Sequence, residues 1–98
     1  MGTDLLIDSI LEWGHERGID NILSQANKVT EEWGETIQEM NHGRFFEDFE
    51  DGIGDTLVSL IIFADIAGKD VRDCLEKAYN EIKDRHGRTI DGNFIKEA

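Results

Sequence analysis

Hydrophobic residues recur at helical rather than strand spacing along most of this chain. Leu6, Ile10 and Trp13 fall at i, i+4 and i+7, with Leu5 and Leu11 beside them, which predicts a first helix over about 4–17. Gly14 and Gly18 weaken its end, and Gly18-Ile19-Asp20 reads as a turn. Ile22, Ala26, Val29, Trp33, Ile37 and Met40 then form the expected core stripe of a long second helix over about 21–41. Beside that stripe runs a polar one at the same rhythm: Gln25, Lys28, Glu32, Glu35 and Glu39. Gly34, mid-helix, costs about 1 kcal/mol against alanine, which points to close approach of another helix or a ligand. Asn41-His42-Gly43 ends the helix, with Gly43 suited to the left-handed conformation.

Phe45, Phe46 and Phe49 lead into a third helix over about 46–67. Ile53, Leu57, Leu60, Ile61 and Ala64 make one seam, and Val58, Ile62 and Ile66 lie opposite. A helix apolar on both sides is covered on both sides, and in so short a chain the second cover points to another copy. Gly68-Lys69-Asp70 predicts a tight turn, with Asp70 as N-cap and Asp73 completing an approximate capping box. The fourth helix, about 71–85, is expected to bury Val71, Cys74, Leu75, Ala78 and Ile82 and to end at His86-Gly87. Its other flank carries Glu76, Asn80 and Lys83. Asp91-Gly92 between short β-formers predicts a hairpin over about 88–95, marginal alone and so expected to pack on something. The fold class is thus all-α: one domain over 1–98, a four-helix protomer with a short C-terminal β-hairpin, oligomerising into a helical bundle.

Charge narrows the function. The 98 residues carry a net charge of −12, against the basic face that nucleic acid or an anionic membrane requires. No apolar run approaches the roughly 20 residues of a membrane span; the longest is Leu60 to Ala64. No signal peptide is expected before Asp4, and Leu6 stands where a myristoylation signal needs Ser or Thr. The single cysteine, Cys74, excludes an internal disulfide, fits a reducing, cytoplasmic compartment, and reads as packing. The absence of proline favours long helices.

The candidate chemistry is carboxylate chemistry. Glu31, Glu32 and Glu35 share one flank of the second helix, and Asp51 and Asp55 share one flank of the third. If the two helices form an antiparallel hairpin about Gly43, Glu35 and Asp51 reach similar heights and four or five carboxylates converge. Oxygen ligands in that number suit Mg²⁺ or Mn²⁺ rather than zinc. In a chain this charged, Glu-x-x-Glu taken alone is usually a solvated face. Trp33 holds the apolar stripe and reads as core, as does Trp13 unless it stacks a flat ligand at the mouth of the site. His15, His42 and His86 show no ligand spacing and read as surface.

Lys28-x-x-Glu31-Glu32-x-Gly34-Glu35, followed by Gly54-Asp55-x-Leu57-Val58, resembles the MazG-like all-α nucleoside triphosphate pyrophosphohydrolases, most closely their short, phage-type members. The likeness extends through Ala78-Tyr79-Asn80 and Lys83-Asp84-Arg85. It implies a homodimer or homotetramer that hydrolyses (d)NTPs between the α and β phosphates, in the cytoplasm or, for a phage-encoded chain, the host cytoplasm. It implies Glu32, Glu35 and Asp55 as Mg²⁺ ligands and Glu31 as a further ligand or as orienter of the attacking water. Lys28 and Arg85 would meet phosphates, with Asn80 and Lys83 close by. The family's pattern has an acid where this chain has Gly52; Asp51, at i−4 from Asp55, is the nearest replacement. The alternative reading is a non-catalytic acidic interaction protein, such as a DNA mimic.

Overall fold

The computed structural model describes residues 1–44 and 47–97. These form α1 (Thr3–Glu16), α2 (Ile22–Asn41), α3 (Glu47–Ile66) and α4 (Val71–Ile82), then β1 (Gly87–Ile90) and β2 (Asn93–Lys96). The architecture is therefore mostly helical, with one two-stranded antiparallel sheet. Among the described residues, no helix is long and apolar enough to cross a membrane. The expected lead-in by Phe45 and Phe46, and the expected start of the third helix, lie outside the described residues.

The helix ends follow local chemistry. Asn21 caps α2 by accepting from the Ser24 amide at 2.9 Å, and Asp70 caps α4 by accepting from the Arg72 amide at 2.8 Å. Gly18, Gly43 and Gly68 take positive φ at the three helix ends where the sequence has them. After Gly43, the Arg44 amide reaches back to the Glu39 carbonyl at 2.9 Å, closing the last turn. Asp91 and Gly92 have φ of 51° and 77°, the two positive values a tight two-residue hairpin turn needs, and Ile90 pairs with Asn93 across it. α4 ends at Ile82, short of the expected 85.

α2 and α3 pair most extensively, α1 packs on α3, and α4 touches α3 near its end. Side-chain clasps hold the outer helices. His15 meets Asp65 at 2.6 Å, joining α1 to α3. Arg72 reaches Asp8 at 3.0 Å and Asp70 at 2.9 Å, joining α4 to α1. The Asp70 and Asp8 carboxylates raise the Arg72 guanidinium further above its ordinary value, and Arg72 in turn lowers the Asp70 carboxyl.

The α2–α3 seam corrects the expected core. The apolar stripe of α2 faces inward only in part: Ile22, Trp33 and Met40 are exposed, Trp33 at 50%, while Ala26, Val29 and Ile37 are half-buried. Gln25 and Thr36 are buried instead, and Glu32 and Glu39 are half-buried. The polar stripe is the one turned toward α3. On α3 the covered residues are Ser59, Ile62 and Ala64, while Ile53, Leu57 and Leu60 of the expected seam stay exposed. α4 buries none of its residues: Leu75 is 72% exposed, and Cys74, Ala78 and Ile82 are exposed with it. The physical reason is the same in each case. Each apolar stripe forms as the pattern predicts, but the single chain has no second layer to lay against it.

Gly34 does not mark a close approach, since a Cβ there would meet nothing within 4 Å. Gly52 does. A Cβ at Gly52 would stand 2.5 Å from Thr36 Oγ1 and 3.2 Å from its Cβ. Thr36 is fully buried, with its hydroxyl donating to the Glu32 carbonyl at 2.8 Å. A side chain at Gly52, acidic or not, is therefore excluded by packing.

Gly52→Ala is expected to lower stability. In an open helix position the change would help by roughly 0.5–1 kcal/mol; here overpacking of about 1–3 kcal/mol opposes it. Thermal unfolding of Gly52→Ala and of Gly52→Ala/Thr36→Ala checks this. The single variant should melt lower than the parent, and the double variant should recover part of the loss. A single variant that melts at or above the parent temperature refutes the packing role.

Candidate functional site

The close Gly52–Thr36 contact brings the polar stripe of α2 against the start of α3. The result is a groove of about 200 Å³ floored by Thr36 and Gly52. Its rim carries Glu32, Glu35 and Glu39 from α2 and Asp48, Asp51 and Asp55 from α3. Four of these are expected metal ligands: Glu32, Glu35, Asp51 and Asp55. Glu39 and Asp48 join them unannounced, although Glu39 was legible as the next member of the polar stripe at i+4 from Glu35.

Two cations temper this charge. Lys28 Nζ stands 3.0 Å from Glu32 Oε1, one helical turn away, and the Glu32 side chain is only 13% exposed. The hydrogen bond to Glu32, then its charge, holds the Lys28 ammonium above its ordinary value. That contribution is present below about pH 10.5 and fades only as pH rises through the raised value. At the other end Arg44 grips Glu39 with two guanidinium nitrogens, one at 3.1 Å from Oε1, and approaches His42 Nδ1 at 3.1 Å. This bond pulls the Glu39 carboxyl below its ordinary value.

The donor set fits a hard divalent cation, since the rim offers six carboxylates and no sulfur or imidazole. Among the described residues, no three acidic, histidine or cysteine side chains already stand as a ligand cluster.

A second, larger hollow of about 490 Å³ adjoins the groove and shares Glu32 and Asp55 with it. Its walls include Trp13, Ile19, Val58 and Ile62, with Ser24, Gln25, Lys28 and Ser59 as polar members. Trp13 is therefore half-exposed at a cavity and is not core; Arg17 lies over its ring, 4.2 Å from the centroid.

The remaining expected residues lie elsewhere. Glu31 is exposed and lines neither hollow. Asn80 lines a separate polar surface with Asp73, Glu76 and Lys77 on α4. Lys83 is the C-cap of α4, and both it and Arg85 are exposed and outside the two hollows. Compared with known proteins, the chain matches no family model, no curated protein and no solved structure.

Crowding of six carboxylates costs stability when no cation is bound. Asp51→Asn should raise the melting temperature in chelator at low ionic strength by roughly 2–4 °C, the equivalent of about 0.5 kcal/mol in a chain this size. The gain should shrink in 1 M salt, where the screening length is about 3 Å. Added Mg²⁺ should stabilise the parent more than the variant at equal protomer concentration. A variant that melts below the parent in chelator, or that responds equally to Mg²⁺, refutes the role given to Asp51.

Proposed function

We propose that the protein is a divalent-metal-dependent nucleoside triphosphate pyrophosphohydrolase acting as a homo-oligomer, with the all-α fold of that family. The observation that carries this is the groove itself. Residues singled out by a sequence motif on two separate helices, Glu32 and Glu35 with Asp51 and Asp55, line one concavity. Six of the 22 acidic residues gather there, which favours a site over the evenly spread charge of a DNA mimic.

On this reading Glu32, Glu35, Asp51 and Asp55 would hold Mg²⁺ or Mn²⁺. A bound ion would neutralise phosphate charge and lower the pKa of a coordinated water. The water oxygen forms a bond to the α phosphorus while the bond from that phosphorus to the bridging oxygen breaks. The products are nucleoside monophosphate and pyrophosphate, and the water's proton passes to a carboxylate. The resemblance makes Glu31 a further ligand or the orienter of that water, although Glu31 lines neither hollow of its own chain. Lys28, already at the boundary between the two hollows, is placed to exchange its Glu32 contact for a phosphate oxygen.

The same reading needs a second copy. A free protomer of 11.1 kDa exposes 7701 Å², against about 5,700 Å² for a monomeric protein of that mass. Its radius of gyration is 16.0 Å, where a compact chain of this length has roughly 13 Å. The excess surface is apolar in large part, including Trp33, Leu57 and Leu75, and is of the size an obligate interface covers. Asn80, Lys83 and Arg85 lie outside the acidic groove of their own chain, so phosphate contact by these residues is assigned to the partner's groove.

Pyrophosphate release from the common NTPs and dNTPs, with Mg²⁺ and with chelator, tests the activity. Turnover should require the metal and should fall by at least about 100-fold in Glu32→Gln and in Asp55→Asn while both stay folded. Absence of turnover by a folded, Mg²⁺-saturated parent refutes it. A mixing experiment tests the shared site. Glu32→Gln and Arg85→Ala protomers, each inactive alone, should regain a fraction of parent activity when co-assembled, because some grooves then pair an intact Glu32 with an intact Arg85. No recovery in verified mixed oligomers would place both residues in one chain's site.

A further inference from the structure

The larger hollow has a chemistry distinct from the groove it adjoins. Trp13, Ile19, Val58 and Ile62 give it apolar walls, and its volume of about 490 Å³ lies within the range of small-molecule sites. It meets the acidic groove at Glu32 and Asp55. A ligand with a polyphosphate end at the groove and a planar apolar end would fill both.

Gln25 is a buried polar group of this hollow whose side chain is held across the α2–α3 seam. It is 8% exposed, at the first turns of α2. Its Nε2 donates to the Ser59 carbonyl of α3 at 3.0 Å. Turning the amide over would set carbonyl against carbonyl, so this bond fixes which end is which. Among the described residues the side-chain hydrogen bond of Gln25 is this donation, and no side-chain polar atom is both buried and unpaired, so the acceptor, Oε1, is open to solvent. A held amide with its acceptor unspent, in an apolar-walled cavity, is how a site reads an N–H group on a ligand.

Building on the proposed pyrophosphohydrolase reading, we infer that this cavity seats the nucleobase and that Gln25 discriminates among bases by accepting a base N–H at Oε1. Trp13 supplies an aromatic wall and binds all bases alike, since every base has a face to stack. Gln25 supplies the selective contact, because a base that presents no donor at that edge leaves the amide oxygen unpaired and desolvated.

The test measures binding, with Mg²⁺, of four α,β-imido deoxynucleoside triphosphates and of inorganic tripolyphosphate, which has no base. The proteins are the full-length parent, Gln25→Met and Trp13→Ala, each checked for fold and assembly. In the parent, the preferred nucleotide should bind at least about tenfold tighter than tripolyphosphate. Gln25→Met should weaken that nucleotide about tenfold, the others less, so that the ranking of bases changes. Trp13→Ala should weaken all four without reordering them. Tripolyphosphate should stay within about twofold throughout.

Equal binding of nucleotide and tripolyphosphate by the parent overturns the base pocket while leaving the proposed hydrolysis intact. Uniform loss in Gln25→Met, tripolyphosphate included, shows a merely structural residue and overturns its discriminating role. Failure of tripolyphosphate and nucleotides alike to bind the parent overturns this inference together with the reading beneath it. Should Gln25→Met fail to fold, the Trp13→Ala series decides the pocket: weakening confined to nucleotides upholds it, and no weakening overturns it.

Discussion

The contact between Gly52 and Thr36 is the constraint on which the rest of the structure depends. It sets how closely α2 and α3 approach, because no Cβ fits between them at that level. Thr36 is fully buried there and its hydroxyl is spent within its own helix, on the Glu32 carbonyl. The seam is therefore tight without a polar group left unpaired, as burial of a hydroxyl requires. The carboxylates lie on either side of it. Glu32 and Glu35 precede Thr36 within one helical turn, and Asp51 and Asp55 flank Gly52, so closing this one contact places all four on the rim of a single groove. The position that cannot carry an acid is what brings the other acids together.

That arrangement opposes its own stability. Six carboxylates on one rim repel, and among the described residues two cations pair with them, Lys28 on Glu32 and Arg44 on Glu39. Both pairs are at the solvent boundary, where an ion pair contributes little. Glu32 is the most covered carboxylate of the set whose partner is a lysine, a flexible point charge that can leave for a phosphate without rebuilding a planar fork. Arg44 on Glu39 is the opposite case, a two-pronged grip at the end of the groove nearest the α2–α3 turn. On the proposed reading Lys28 is the exchangeable partner and Arg44 the fixed one. The ligand acids other than Glu32 are then left to a divalent ion.

Local chemistry was legible in the sequence, and the packing partners were not. Helix existence followed from spacing, and ends from Asp70 and the glycines at 18, 43 and 68, while the Asn21 cap was not singled out. The hairpin followed from Asp91-Gly92, where both residues take positive φ. The convergence of Glu32, Glu35, Asp51 and Asp55 followed from counting residues away from Gly43. The orientation of α2 did not follow, because amphipathicity says which face is apolar and not what covers it. Half of its apolar stripe, read as core, proved exposed, Trp33 included, while Ala26, Val29 and Ile37 are half-buried. Gly34 and Gly52 show the same limit. Two glycines inside helices look alike in sequence, and only one has a threonine hydroxyl facing it.

These two results belong together. A helix hairpin that turns its polar stripes inward to make a site must leave its apolar stripes outward, since the same helices carry both. α2 exposes Ile22, Trp33 and Met40 because Gln25, Glu32, Thr36 and Glu39 occupy the seam. α4, which buries nothing within the chain, adds Leu75, Tyr79 and Ile82 to that outer surface. In a monomer of this size such exposure would be a liability. In an assembly it is what remains for a second layer to bury, and the hydrophobic drive to form that layer is then the free energy that holds the charged seam closed. On the proposed reading site and interface would be one design, an acidic groove on a short hairpin whose stabilising core copies of the chain would share.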